Sequence, residues 1–127
     1  MTTDAETVAR ELLTSARMLT ERHSTDTRGL WPRAAVLLVR QSLEVTLKTY
    51  WSAKAPGAEE CPTRAQVLCL GLYVGDEELG RRAAQVWAER SQAAHVHPYD
   101  LPPTREELLG WIEVVVDVVE KTEERWR

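Results

Sequence analysis

The sequence predicts an all-α protein: an antiparallel bundle of four main helices with one additional short helix, in a single domain spanning residues 1–127. Three observations predict it. Apolar residues recur at helical spacing along five segments, capping residues precede most of these segments, and prolines and glycines stand between them. The chain contains no internal repeat and no low-complexity tract, so nothing divides it into smaller units.

The starts of the helices are marked by specific residues. Three segments begin with the pattern of the capping box, in which two side chains satisfy each other's free backbone amides: Thr3 with Glu6, Thr63 with Gln66, and Thr104 with Glu107. Asp76, after Gly75, is suited to cap the fourth helix. Pro32 is suited to the first turn of the second helix.

The predicted helices follow in order along the chain. The first covers residues 4–22, and its apolar stripe consists of Val8, Leu12, Ala16 and Leu19. The second covers residues 32–54 and ends before Pro56-Gly57, and the short third covers residues 63–73. The fourth begins near residue 76 and must end before Pro98, because proline disfavours helical geometry in the residue that precedes it.

The fifth segment, residues 105–125, contains a run of valines that by itself would indicate a strand. The glutamates and leucines on either side of "IEVVVDVVEK" favour a helix instead. Leu108, Ile112, Val115 and Val119 then form one stripe, which Val114 and Val118 widen. A stripe of that width predicts contact with more than one neighbouring helix.

Composition excludes several classes of function. The formal net charge is −4, so the chain as a whole has no electrostatic attraction for nucleic acid, and any binding needs a local basic patch. No apolar run approaches the length of a membrane span, and the N-terminus does not resemble a signal peptide, so we expect a cytoplasmic protein. Cys61 and Cys69 form no CxxC pair, and we expect neither a metal nor another cofactor.

The candidate site lies at the end of the fourth helix. Leu79, Ala83, Val86, Arg90, Ala94 and His97 follow one stripe at helical spacing. Arg90 therefore stands where an apolar side chain is expected, and an unpaired buried charge is costly. Such an arginine either pairs with a carboxylate or extends to solvent, or it lines a functional cavity. A second line of smaller residues, Ala84, Ala88, Ser91 and His95, would allow another helix to approach closely.

Three stretches carry a resemblance to a known family. "RSQAAH", from Arg90 to His95, resembles the R-x4–6-H motif of HEPN domains. "AAVLLVRQSLEVTLKTYW", with Glu44 and Lys48 four residues apart, is similar to an early helix of that family. "AAHVHPYDLPPTREELLGWIEVV" is similar to the family's junction between motif and last helix. The resemblance covers about residues 5–122. It departs at Ser91, where the nucleases often have Asn, Asp or His.

The resemblance implies a metal-independent endoribonuclease from a toxin–antitoxin or defence system, acting as a homodimer with a composite Arg/His site. Arg90 would stabilise charge on the reacting phosphate, and a histidine would transfer protons. The short spacing favours His95, whereas continued helical register favours His97, and we take His95 as the first candidate. RNA would be the substrate, and an antitoxin or a neighbouring protein would be a partner.

Four further residues are candidates for positioning or substrate binding. Ser91 follows Arg90, and Tyr99 in the proline-rich loop has a ring able to stack on a base. Arg40 and Glu44 stand four residues apart on the second helix, where Glu44 would pair with Arg90 or orient a histidine, or would only belong to a solvent-facing series of ion pairs. The alternative function is a HEPN-like module without catalysis, used for dimerisation or protein binding.

Overall fold

The computed structural model describes residues 4–21, 30–94 and 102–126, and of residues 4, 89–94 and 124–126 it describes the backbone alone. The described chain forms five α-helices: α1 (Asp4–Glu21), α2 (Trp31–Lys54), α3 (Thr63–Val74), α4 (Glu77–Ala94) and α5 (Arg105–Trp126). A 3₁₀ turn, Ala58–Glu60, joins α2 to α3. These residues include no strand. The predicted all-α class is confirmed, and the valine run at 114–119 is helical.

The second helix lies at the centre of the molecule. It contacts each of the other four helices, and the most extensive of these contacts is with α1. This position explains why so much of its surface is apolar and buried, at Ala35, Val36, Val39, Leu43, Leu47, Tyr50 and Trp51. The helix begins at Trp31 with Pro32 in its first turn, as predicted, because the missing amide of proline costs nothing there.

The predicted apolar stripe of α1 is confirmed at Ala16, whereas its other three positions, 8, 12 and 19, each lie one residue before a buried one. The helix buries Ala9, Leu13, Ala16 and Thr20, while Val8 remains 43% exposed. The physical reason is close packing against α2, where small residues let the two backbones approach. The hydroxyl of Ser42 on α2 donates a hydrogen bond of 2.9 Å to the carbonyl oxygen of Ala9, and such an approach excludes a larger side chain from position 9.

The wide apolar stripe of α5 is confirmed. Its buried residues are Leu108, Trp111, Ile112, Val114, Val115, Val118 and Val119. The helix packs mainly against α1, α2 and α4 and makes a smaller contact with α3, so several neighbours share this surface. The width of the stripe is therefore accounted for inside the chain, and α5 has little apolar surface left for a second copy.

The third and fourth helices form a tight hairpin. Gly75 ends α3 with a φ of 73°, a left-handed conformation that glycine adopts without strain. Asp76 follows at once and caps α4, accepting a hydrogen bond of 3.0 Å from the amide of Leu79, as predicted. The two helices then cross at Gly71 and Gly80, where a Cβ atom on Gly80 would lie 2.7 Å from the Cα atom of Gly71.

Of the three predicted capping boxes, one is confirmed and one is wrong. Thr104 and Glu107 form the reciprocal pair, with both backbone-to-side-chain hydrogen bonds at 3.1 Å. Thr63 is already inside α3, which Pro62 precedes without a side-chain cap. The side-chain amide of Gln66 instead donates, through Nε2, to the carbonyl oxygens of Glu59 and Cys61, because the 3₁₀ turn brings them within reach. The box at Thr3 lies outside the described residues.

This difference between two similar motifs gives a matched test. Thr104→Ala removes a working cap and should lower the free energy of unfolding by about 0.5–2 kcal/mol. Thr63→Ala is the control, because its hydroxyl does not cap α3, and we expect little change. Thermal unfolding followed by circular dichroism measures both variants. Equal losses at the two positions would contradict the assignment of the caps.

One ionic cluster joins α1 to α5. Arg10 donates a hydrogen bond of 2.6 Å from its Nη2 to Glu123 Oε1, and its Nε lies 3.6 Å from Glu6 Oε1. Burial and a hydrogen bond with Glu6 hold the pKa of Glu123 above its usual range, against the opposing effect of Arg10. A carboxyl group with a raised pKa stabilises the folded protein when protonated, and that contribution is lost as pH rises through the folded pKa.

Arg10→Met should therefore destabilise the protein in a pH-dependent way. At about pH 7 the two carboxylates would face each other without a cation, and the melting temperature should fall by about 1–3 °C. Near pH 4 protonation relieves the repulsion, so the difference from the unsubstituted protein should shrink. Arg17→Met, at an exposed position of the same helix, is the control. An equal loss at both pH values would mean that Arg10 acts through packing.

Candidate functional site

The helix that carries the motif is held on one face by the core. In α4, Leu79, Ala83 and Val86 are buried, as the predicted stripe requires. The neighbouring line of small residues differs in exposure: Ala84 packs partly against the core, whereas Ala88 is exposed. The part of that line nearest the motif is therefore open to contact with another molecule.

The backbone of α4 determines where Arg90 lies. The helix continues without a break to Ala94, so position 90 follows Val86 on the same face, one helical turn later. By helical register, position 90 therefore lies in line with Val86, about one turn before the helix ends, and position 91 lies on the adjacent face. The side chains of both residues lie outside the described part of the structure.

The remaining motif residues also lie outside the described residues. His95 follows directly after Ala94, the last residue of α4, and His97 and Tyr99 belong to the segment that separates α4 from α5. The choice between His95 and His97 depends on the conformation of this segment. Both histidines and the stacking role of Tyr99 therefore stay predictions.

The structure brings together two of the other candidates and adds a third residue. Arg40 Nε donates a hydrogen bond of 3.0 Å to Glu44 Oε1 on the next turn of α2, and both side chains are partly exposed. The guanidinium carbon of Arg40 lies 5.7 Å from the centre of the Trp87 ring on α4. Lys48, one turn further along α2, is exposed. Sequence analysis missed Trp87, because no spacing rule relates positions on two different helices.

Two contacts establish the relative direction of α2 and α4. Trp51, near the end of α2, packs edge-on against Tyr73, which lies just before the start of α4, with ring centres 4.6 Å apart. Arg40, earlier in α2, packs on Trp87, late in α4. The helices therefore run in opposite directions, and Arg90 lies beyond Trp87 toward the first half of α2. Glu44 lies one turn from Arg40 in the other direction and has Arg40 as its partner.

A groove between the start of α4 and the end of α5 has the wrong charge for an RNA phosphate. Four carboxylates and two cations line it: Asp76, Glu78, Asp117, Glu120, Arg82 and Lys121. Arg82 Nη1 donates to Asp117 Oδ2 at 3.3 Å, so part of the positive charge is already neutralised. Arg81 hydrogen-bonds Glu78 and lowers the pKa of that carboxyl. The groove therefore stays acidic at neutral pH and would repel a phosphodiester.

The described residues also bear on two other classes of site. They include no group of three or more His, Cys, Asp or Glu side chains arranged to hold a metal ion. None of the described helices is both long enough and apolar enough to cross a membrane. In comparisons with known proteins, no family model, curated protein or solved structure matches the chain.

Proposed function

We propose that this protein is a metal-independent endoribonuclease of the HEPN type, acting as a homodimer in a toxin–antitoxin or defence context. The observation that carries the proposal is the position of Arg90. In support, position 90 is in helical register with the buried residues Leu79, Ala83 and Val86 and lies one turn before the helix ends. A charged residue is retained at such a position when it has a partner or lines a cavity.

The packing of the helices supports the bundle that this family would require. We propose that α1, α2, α4 and α5 form an antiparallel four-helix bundle and that α3 is the additional short helix. In support, α2 contacts α1, α4 and α5, and α5 contacts α1, α2 and α4. The contacts of Trp51 and Arg40 indicate opposite directions for α2 and α4. The capping box at Thr104 begins the last helix where the family's junction is expected to end.

The proposed reaction is an attack of the ribose 2′-hydroxyl on the adjacent phosphorus. His95, or His97 in its place, accepts the 2′-hydroxyl proton as the bond between the 2′-oxygen and phosphorus forms. The bond from phosphorus to the 5′-oxygen breaks, and a protonated histidine donates a proton to that leaving oxygen. Arg90 stabilises the negative charge on the non-bridging oxygens. The products are a 2′,3′-cyclic phosphate and a free 5′-hydroxyl.

A homodimer would supply the second proton-transfer group. One copy offers one arginine and one or two histidines, whereas two copies facing each other offer two complete motifs. The exposed small side chain of Ala88 lies two residues before Arg90, and Ala84 lies one turn earlier. These small residues would let the α4 helices of two copies approach closely. We propose this surface for the dimer, because the apolar stripe of α5 is buried within the chain.

The experiment that tests the function is an RNA digest with the purified protein in EDTA. A structured and an unstructured RNA serve as substrates, and the ends of the products are analysed chemically. The expected products carry 2′,3′-cyclic phosphate and 5′-hydroxyl ends. Products with 3′-hydroxyl ends, or loss of cleavage in EDTA, would contradict the mechanism.

A second candidate function is a non-catalytic helical module that binds a protein partner. The observation that favours it is the exposed apolar surface of α3, where Leu72 is 74% exposed. Ser91, at the position where nucleases of the family often have a different polar residue, points the same way. An absence of RNA cleavage under all conditions, combined with stable self-association, would favour this second function.

A further inference from the structure

The short helix α3 has an apolar face that the described residues leave largely exposed, apart from an edge contact between Tyr73 and Trp51. This surface, which we call the α3 outer face, consists of Ala65, Leu68, Cys69, Leu72 and Tyr73, all exposed. Leu68 is 62% exposed and Leu72 is 74% exposed, the highest values among the large apolar side chains of the described residues. The opposite face buries Val67, Leu70 and Val74.

From Val67 to Val74 the helix is apolar on every side, because exposed leucines and buried apolar residues alternate around it. A helix of that kind is normally buried on all sides, because solvent on an apolar face favours association. Scattered exposed apolar residues need no explanation, but Leu68 and Leu72 are four residues apart and form one continuous surface with Cys69 and Tyr73. The α3 outer face therefore has the properties of a protein-binding surface.

Exposed side chains of opposite charge flank the α3 outer face, in addition to exposed Glu60 before the helix. Arg64 stands one turn before Leu68, and Glu77 stands just beyond the end of the helix. Both residues are exposed, and neither makes an ion pair within the described part of the chain. Along this surface the order is thus positive at Arg64, apolar at Leu68 and Leu72, and negative at Glu77, which is the first residue of α4. A second copy of the same helix in the opposite direction presents the complementary order.

We infer that the α3 outer face binds the α3 outer face of a second copy of this chain in an antiparallel two-fold pair. In this arrangement Leu68 meets Leu72 of the other copy, and Arg64 meets its Glu77. A two-fold interface requires such reciprocity, in which residue i contacts residue j and residue j contacts residue i. A parallel pair is disfavoured because it would bring the two Arg64 side chains together.

This interface is separate from the surface proposed around Arg90. The α3 outer face contains no residue of α4, and Glu77 lies at the opposite end of α4 from Arg90. The inference therefore goes beyond the proposed function and does not rest on it. A pair of helices of 12 residues gives an interface at the small end of the observed range, so we expect a dissociation constant on the order of 1–100 μM.

The decisive measurement is the molar mass of the full chain by sedimentation, over concentrations on both sides of that range. The double variant Leu68→Glu/Leu72→Glu should stop at the smaller species, the α4 dimer or the monomer, whereas the unsubstituted protein should gain further mass as its concentration rises. Met18→Glu, which changes a side chain that is 49% exposed on α1, is the matched control and should leave the mass unchanged. Circular dichroism melting should show all three proteins folded, because the substituted side chains are exposed.

Charge reversal tests the antiparallel arrangement. Arg64→Glu and Glu77→Arg should each raise the dissociation constant about tenfold, and the combination of both should restore it to within about threefold. A bis-maleimide should also link two chains through Cys69 when Cys61 is replaced by serine, since both thiols are free and exposed. The double leucine variant should lose this link.

Two results would overturn the inference. If the double leucine variant has the mass of the unsubstituted protein at every concentration, the α3 outer face does not bind a second copy. If the combined charge reversal fails to recover association, the antiparallel pairing is wrong. RNA cleavage should persist in the double leucine variant. A failure of the unsubstituted protein to cleave RNA would therefore reject the proposed nuclease and leave this inference standing.

Discussion

Replacing Arg90 with alanine is expected to slow RNA cleavage by about 10²–10³-fold, which is the usual loss when one donor to a developing oxyanion is removed. The physical reason is that charge on the phosphate oxygens grows between substrate and transition state, and a positioned guanidinium meets it with two hydrogen bonds. Arg90→Lys should recover only part of the rate, because an ammonium group cannot make the same bidentate contact.

Replacing His95 with alanine is expected to slow cleavage by about 10²–10⁴-fold through the loss of proton transfer. The same substitution at His97 should have the smaller effect. If His97→Ala is inactive while His95→Ala cleaves normally, the role of proton transfer belongs to His97. Comparing the two variants at several pH values also separates the roles, because a general base or acid changes the pH profile whereas a structural residue does not.

The control for both predictions is Arg81→Ala. Arg81 lies on the same helix, is exposed and forms its ion pair with Glu78, so it should leave the rate within about twofold of the unsubstituted protein. Circular dichroism should show that every variant is folded. If cleavage is unaffected by Arg90→Ala, the catalytic hypothesis is rejected, and the non-catalytic helical module becomes the better description.

A large effect on stability is expected at the crossing of α3 and α4. Gly80→Ala should lower the free energy of unfolding by about 1–3 kcal/mol, because overpacking forces neighbouring elements apart. The Cβ atom added at position 80 would lie 2.7 Å from the Cα atom of Gly71 and 2.8 Å from the backbone nitrogen of Gly71. Both contacts are with backbone, so no side-chain rotation can relieve them, and the two helices must separate.

Gly110→Ala is the matched control, and the expected sign is opposite. Gly110 is an exposed residue within α5, and a Cβ atom there would meet nothing within 4 Å. Alanine is the better helix former by about 1 kcal/mol, so this variant should be more stable than the unsubstituted protein. Thermal unfolding of both variants tests the comparison. A stabilising Gly80→Ala would mean that the two helices do not cross at this point.

The helices themselves were predictable because their signals are local. Apolar periodicity and turn residues depend on neighbours within a few positions, and α1, α2, α3 and α5 begin and end within about two residues of the predicted limits, as does the start of α4. The cap at Asp76 and the capping box at Thr104 were predictable for the same reason. In the valine run of α5, helix-forming residues on both sides outweighed a local preference for strand.

Packing between helices was not predictable from those signals. Three of the four predicted stripe residues of α1 lie one position before the buried ones, because the close approach of α2 at Ser42 selects small residues that periodicity does not distinguish. The capping box at Thr63 matched the sequence pattern, yet the 3₁₀ turn before it offered Gln66 better acceptors. In both cases a contact across the fold outweighed a local rule.

The candidate site also divides into features that depend on local sequence and features that depend on packing between helices. The sequence by itself determined that Arg90 stands in register with Leu79, Ala83 and Val86, since this follows from the continuity of one helix alone. Only the tertiary structure decided that Arg40 lies over Trp87, that the α5 stripe is buried within the chain, and that the outer face of α3 is left open. Register depends on the spacing of residues along one helix, whereas exposure depends on which other helices cover it.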